Sequence, residues 1–235
     1  MTQADDRRNR ILDRLPGPDY ERIAGQAELV TLPAFAVICD TGKVLEYAYF
    51  PVSSVLSALI VLENGAMVEA ATIGNEGMVG VSLLLGNPPT PHRIVQQVLG
   101  ETLRIEVDAF SKALKASEAL RHLVERFAVT LIYQGSQGAA CNQHHSVEER
   151  MCRWLLETSD RCGKEEFDIT QEFLGAMLGV RRQGVNLTAR LLQQAGIIAY
   201  DHSHLTILNR RALEKVSCEC YGASTAVYRC LMEGT

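Results

Sequence analysis

The alternation of apolar and polar positions changes character near Asp108. Before it, short apolar runs are separated by turn residues: LVTLP at 29–33, FAVICDTG at 35–42, EYAYFP at 46–51, VLSALIVLENGAMVEAATIG at 55–74, RIVQQVLG at 93–100 and TLRIEV at 102–107. Runs of this length bounded by Gly, Pro, Asn and Asp predict β-strands. Glu63-Asn64-Gly65 interrupts the longest run, and Asn-Gly supplies the positive φ angles of a tight hairpin. Many short strands at this spacing predict a barrel or double-sheet jelly roll. Asp108 is placed to cap a helix over DAFSKALKA, and the helical period persists from there.

The longest helical pattern runs from Ser117 to His145. Steps of four and three residues give Leu120, Val124, Phe127, Leu131, Gln134 and Gly138, continued by Cys141 and His145, which is the alternation of a coiled-coil seam. Such a helix either packs on its own barrel or pairs with a second copy. Gly135 and Gly138 would let two backbones approach, or would mark a kink, at a cost of roughly 1 kcal/mol each in helix propensity. The expectation drawn is a dimerisation helix, with Leu120, Val124, Phe127, Leu131, Gln134 and Gly138 in the interface.

Further along, Thr170 can cap a helix over Gln171 to Leu178, with Phe173, Leu174 and Met177 on one side and Glu172 at the positive end of the dipole. Gly179 then breaks the run. A second helix starts near Arg182, with Val185, Ala189 and Leu192 as its buried stripe and Arg182, Gln183, Asn186, Leu187 and Arg190 opposite. Two helices around a turn glycine predict a helix-turn-helix. Ala195-Gly196 stops the second helix, and IIAY, DHSH and LTIL read as a small hairpin, or wing.

Charge gives this motif a purpose. The chain has a formal net charge of −5, yet residues 170–215 carry six Lys or Arg against three acids, a local +3 that leaves −8 elsewhere. One basic helix-turn-helix in an acidic chain is the electrostatic footprint of a DNA reader, because phosphate neutralisation supplies most nonspecific affinity. Arg181 and Arg182 would open the helix that enters a major groove. At 235 residues, with 47% hydrophobic and 22% charged, the chain is long enough for two modest cores. It has no apolar run long enough for a membrane span. Its N-terminus, MTQADDRRNRILDRL, is too charged for a secretory signal, so a cytoplasmic protein is expected.

Catalysis and cofactors find little support. The seven cysteines are an odd number scattered through the chain, which predicts reduced thiols. Cys141 with His144 or His145 lacks a third orienting group, and there is no phosphate loop or H-E-x-x-H, so the chain is not read as an enzyme. Cys141-x-x-His144-His145 and Cys218-x-Cys220 have ligand-competent chemistry, but both spacings are weak. They are read as packing residues, with no metal and no cofactor expected.

A barrel of short strands, a long helix, then HHSVEERMCRWLLETSDR followed by FDITQEFLGAMLGVRRQGVNLTARLLQQAGII, resembles the Crp/Fnr family of bacterial transcription regulators over nearly the whole chain. YFPVSSVLS, IGNEGMVG, ACNQHHSVEERMCRWLL and CECY are similar to one subgroup with a divergent sensor half. The resemblance implies an α+β fold: an N-terminal cyclic-nucleotide-binding-like β jelly roll over 1–116, a dimerisation helix over 117–145, and a C-terminal winged helix-turn-helix with an extension over 146–235. It further implies a homodimer on a pseudo-palindromic duplex operator, and a contact to RNA polymerase.

Carried over residue by residue, Arg182 and Gln183 fall where the family reads bases, and Thr170 and Gln171 where the first helix meets phosphate. With Arg181, Asn186, Leu187 and Arg190, and with His202 and His204 in the wing, they make up the expected DNA-contacting set. Leu187 replaces a second reading arginine, so its contact would be apolar, to a thymine methyl. The wing's His202-Ser203-His204 makes its phosphate contact depend on histidine protonation. In the sensor half, Gly80 is followed by Val81 and no Arg-Ser pair follows, so cyclic AMP is not expected; Glu76 and Arg93 remain as candidate ligand residues. The family's iron–sulfur members use an N-terminal cysteine cluster, and here Cys39 stands alone. Two rival readings are a nucleotide-binding-like module acting on a protein partner, and a thiol or metal redox sensor.

Overall fold

A computed structural model describes residues 9–234. The first eight residues of the charged N-terminal stretch, and Thr235, lie outside the described residues. Two short helices, α1 (Arg10–Asp13) and α2 (Gly17–Ala24), precede seven strands: β1 (Glu28–Thr31), β2 (Val37–Cys39), β3 (Tyr47–Pro51), β4 (Val55–Val61), β5 (Met67–Ile73), β6 (Arg93–Val98) and β7 (Glu101–Glu106). They form two antiparallel sheets, in the orders β1-β7-β3 and β2-β6-β4-β5. The Asn64-Gly65 turn joins β4 to β5. Gly65 has φ +81°, the Leu62 N–H donates to the Ala66 carbonyl at 2.8 Å, and the Asn64 side chain accepts from the Ala66 N–H at 3.0 Å.

The unbroken apolar run of β4 has a physical reason, because both of its faces are covered. Leu56 and Ala58 point into the barrel, while Val55 and Leu59 join Val95 and Val98 of β6 in a second core on the outer side. That second core is completed by Met151, Trp154 and Leu155 of α5 (Val147–Cys162). The sheet is thus the floor on which the C-terminal half is built.

Between them run α3 (Val107–Ala116) and α4 (Glu118–His144). Helix α3 starts one residue before the expected cap: Glu106 is its N-cap, without a side-chain bond, and Asp108 lies in the first turn, where its charge suits the helix dipole. Ser117 caps α4 through the Leu120 N–H, and Ser146 with Glu149 forms a full capping box on α5. Helix α4 passes unbroken through Gly135 and Gly138.

The expected dimer seam requires correction. Leu120, Val124 and Phe127 are 0%, 0% and 2% exposed within the single chain and belong to the barrel's own core. Leu131 packs against the same core, and Gln134 donates to the Thr72 carbonyl of β5 at 3.3 Å. Gly138 has open space where a Cβ would stand. The barrel has claimed most of this stripe. The IGNEGMVG stretch is the matching surface, since a Cβ at Gly77 would collide with the Phe127 ring, and one at Gly74 with the Arg161 side chain. The opposite face of α4 presents Val129 and Ile132, exposed by 48% and 70%, in line with exposed Ser136, Ala139 and Gln143. These five also step by three and four residues.

The remainder comprises β8 (Glu166–Asp168), α6 (Gln171–Leu178), α7 (Arg182–Gln194), β9 (Ile198–Asp201), β10 (His204–Ile207), α8 (Arg210–Val216) and α9 (Cys220–Tyr228). Strands β8, β10 and β9 form a small antiparallel sheet with β10 in the middle. No described helix is long and apolar enough to cross a membrane.

Candidate nucleic-acid interface

The two helices of the motif meet because small residues let them. The Thr170 hydroxyl accepts the Phe173 N–H at 3.1 Å and starts α6. Gly179 ends it in the left-handed region at φ +63°, which a glycine adopts without steric cost. The Val180 N–H returns to the Gly175 carbonyl at 2.9 Å. A Cβ on Gly175 would lie 2.9 Å from the Val180 oxygen and 3.6 Å from Val185 Cγ2. Only glycine allows this approach. Arg181 is the extended N-cap of α7, whose Val185, Ala189 and Leu192 are buried at 0–1% exposure against Leu174 and Met177.

That packing fixes which side of α7 looks outward. Arg181, Arg182, Gln183, Leu187 and Arg190 are all exposed. Among the described residues none of the four polar ones has a side-chain hydrogen bond or ion pair. The other expected contacts have work inside the chain. Thr170 is the cap of α6, and Asn186 Nδ2 donates to Gln171 Oε1 at 3.1 Å, tying α7 to α6.

The wing histidines face acids. His202 Nδ1 lies 2.6 Å from Asp201, and His204 lies 2.9 Å from Asp168 and 3.9 Å from Glu166. Each wing histidine thus has a carboxylate beside it within the chain. Arg210, counted in the basic segment, is likewise spent on Asp160 at 2.6 Å and Glu214 at 3.0 Å. The uncommitted positive charge of the outer face sits at Arg181, Arg182 and Arg190.

The motif packs against the N-terminal barrel and the long helix. The Phe35 and Phe173 rings stand 4.8 Å apart. A cleft of about 1120 Å³ separates Leu62, Met67 and Val68 of the β4–β5 hairpin from Thr170, Arg181 and Arg182. Arg150, 7% exposed, donates to Asn142 Oδ1 on α4 at 2.8 Å and to the Leu178 carbonyl at the end of α6 at 3.0 Å. The last turn of the long helix is therefore tied to the turn that presents Arg181. Trp154 Nε1–H donates to Glu69 of β5 at 2.8 Å. Removal from water pushes the Glu69 carboxyl up, against hydrogen bonds from Ser57, Thr72 and Trp154 that pull it down.

The candidate ligand residues do not converge. Glu76 accepts from Arg161 at 2.9 Å and from the Gly74 N–H, and lines a cavity of about 400 Å³ with Arg10, Tyr228 and Glu233. Arg93, which does not line that cavity, pairs with Asp40 at 2.9 Å. By contrast, the structure gathers Cys141, His145, Cys218 and Cys220, their ligand atoms all within 4.8 Å of one another, while His144 is exposed.

Comparison with known proteins agrees with this geometry. Residues 149–216 match the model of the Crp-like helix-turn-helix domain. No curated protein matches the chain in sequence. Among solved structures, the chain is similar to a putative transcriptional regulator of the Crp/Fnr family from Eubacterium rectale, with TM-score 0.66 and 17% identity over 88% of this chain and 96% of that one. It is also similar to FixK2 from Bradyrhizobium japonicum, with TM-score 0.68 and 15% identity over 82% and 98% of the two chains. For TTHB099, a CRP-family transcriptional regulator from Thermus thermophilus, the values are 0.67, 15%, 80% and 96%. Residues 149–216 thus carry a Crp-like helix-turn-helix domain, and the chain around them has the fold of these solved structures.

Proposed function

We propose that the chain regulates transcription as a homodimer that reads a pseudo-palindromic operator with α7 in the major groove. The observation that carries this reading is the outward face of α7: Arg181, Arg182, Gln183, Leu187 and Arg190, exposed and unspent on a helix locked from behind by Gly175 and Val185. Arg182 and Gln183 are the base readers, since arginine to guanine is the commonest specific contact and both side chains stand in the first turn. Leu187 meets a thymine methyl. Arg181 sits at the helix start, beside the phosphate chain, and Arg190 holds the backbone further along.

Dimerisation runs along the exposed face of α4 through Val129, Ile132, Ser136, Ala139 and Gln143. The signal enters the sensor half by a ligand other than cyclic AMP, since Gly80 is followed by Val81 and no Arg-Ser pair follows. Arg150 and Trp154 carry the resulting movement to the reading helix. Selection of bound sequences from random duplexes at a fixed salt concentration tests the reading. The expected product is a twofold-symmetric site with half-site centres about 34 Å apart, one helical turn. Recovery of unordered sequence, or of a single half-site, would contradict it.

A further inference from the structure

Four soft ligands from two distant parts of the chain meet at one point. Cys141 and His145 are one helical turn apart at the end of α4, and Cys218 and Cys220 bracket Glu219, the N-cap of α9. The three thiols are buried, at 0%, 4% and 1% exposure, in a cluster of their own apart from both hydrophobic cores. The Cys141 and Cys218 sulfurs are 3.6 Å apart, and Cys220 Sγ lies 3.6 Å from His145 Nδ1.

These two separations are close to the edges of one coordination shell, and the remaining pairs lie within 4.8 Å. With metal–sulfur bonds of about 2.3 Å and metal–nitrogen bonds of about 2.0 Å, a tetrahedron has S···S edges of about 3.8 Å and S···N edges of about 3.5 Å. The outer contacts fit as well. His145 turns Nδ1 inward while its Nε2 lies 3.1 Å from the Glu219 carboxylate, the arrangement that fixes the tautomer of a metal-bound imidazole. Gln137 Nε2 donates to Cys220 Sγ at 3.0 Å, a partner suited to a thiolate. We propose that Cys141, His145, Cys218 and Cys220 bind one zinc ion. Four protein ligands close the shell, which makes the site structural, with no position for a substrate.

Its place in the chain gives the ion a task. The winged helix-turn-helix lies between the two pairs of ligands in sequence, and the junction at Ser146 separates α4 from α5. Zinc clamps the end of the long helix to the segment that follows α8. The DNA-binding half is thereby held to α4 at both of its ends.

The test is metal content of the full-length protein purified under reducing conditions with zinc present, by elemental mass spectrometry after exhaustive dialysis. The expected result is one zinc per protomer, with at least a tenfold loss in Cys141→Ser and in the Cys218→Ser, Cys220→Ser double variant. Cys162→Ser, whose thiol is buried elsewhere, should keep its zinc. Because a ligand variant can misfold, the unaltered protein is also loaded with Co²⁺: thiolate-to-metal charge transfer and strong tetrahedral ligand-field bands are expected, and bleach on addition of zinc. Native protein without zinc, zinc retained in the double variant, a Cys141–Cys218 disulfide in the reduced preparation, or a weak octahedral cobalt spectrum would each overturn the assignment.

Discussion

Ile132→Ala separates the two faces of α4. Fully burying an isoleucine contributes about 1.5–3 kcal/mol relative to leaving it exposed. Ile132 is 70% exposed in the single chain, so a partner helix can still bury most of it. Truncation to alanine keeps part of that gain, which leaves about 1–1.5 kcal/mol lost per side chain and about 2–3 kcal/mol for the twofold pair. At 1.4 kcal/mol per tenfold, the dimer constant should weaken roughly 30- to 150-fold. Sedimentation equilibrium over a protein dilution series reads this directly. Phe127→Ala is the counterpart: it leaves a cavity in the barrel core, costs about 3–5 kcal/mol of folding stability, and leaves association of the folded fraction unchanged. An unaltered dimer constant in Ile132→Ala, or monomers of undiminished thermal stability in Phe127→Ala, would refute the assignment of faces.

Other consequences are as direct. Gly175→Ala places a methyl 2.9 Å from the Val180 carbonyl oxygen, so the α6–α7 turn must open; a loss of about 1–3 kcal/mol in unfolding of the DNA-binding half is expected, and an unchanged transition would contradict it. Glu69 has its carboxyl raised by burial, so the folded chain holds this proton more tightly than the unfolded one. Its contribution to stability is complete below the ordinary carboxylate range and is lost as pH rises through the folded value. Glu69→Gln should flatten that fall in a denaturant series across pH, whereas an identical slope would show that another group carries it.

The helix-turn-helix was legible because each of its signals is local: a threonine cap, a turn glycine, and a buried stripe at Val185, Ala189 and Leu192. The β4–β5 hairpin was legible for the same reason, through Asn64-Gly65. The expected seam fell on the stripe that the barrel buries because α4 carries a second row of the same period, and only the position of the barrel decides which row stays exposed. Gly175 went unnoticed since the Val180 carbonyl that requires it is contributed by a loop. The three-residue β8 leaves no periodicity to detect. The cysteine–histidine cluster is divided between two short motifs, each too weak alone, that only the folded chain adds together. Helical geometry does favour His145 over His144, because Cys141 and a residue four positions later share a face.

Arg181 and Arg182 test the central claim most directly, because adjacent residues of like charge are assigned different roles. Both variants are to be measured on the selected operator and on random duplex across a salt series. Arg181→Ala should weaken both duplexes alike and make the slope of log affinity against log salt shallower by about one unit, the signature of one lost phosphate contact. Arg182→Ala should cost roughly 1–3 kcal/mol more on the operator than on random duplex and relax the preference at one symmetric pair of positions. Equal losses on the two duplexes for Arg182→Ala would contradict base reading by the outer face of α7.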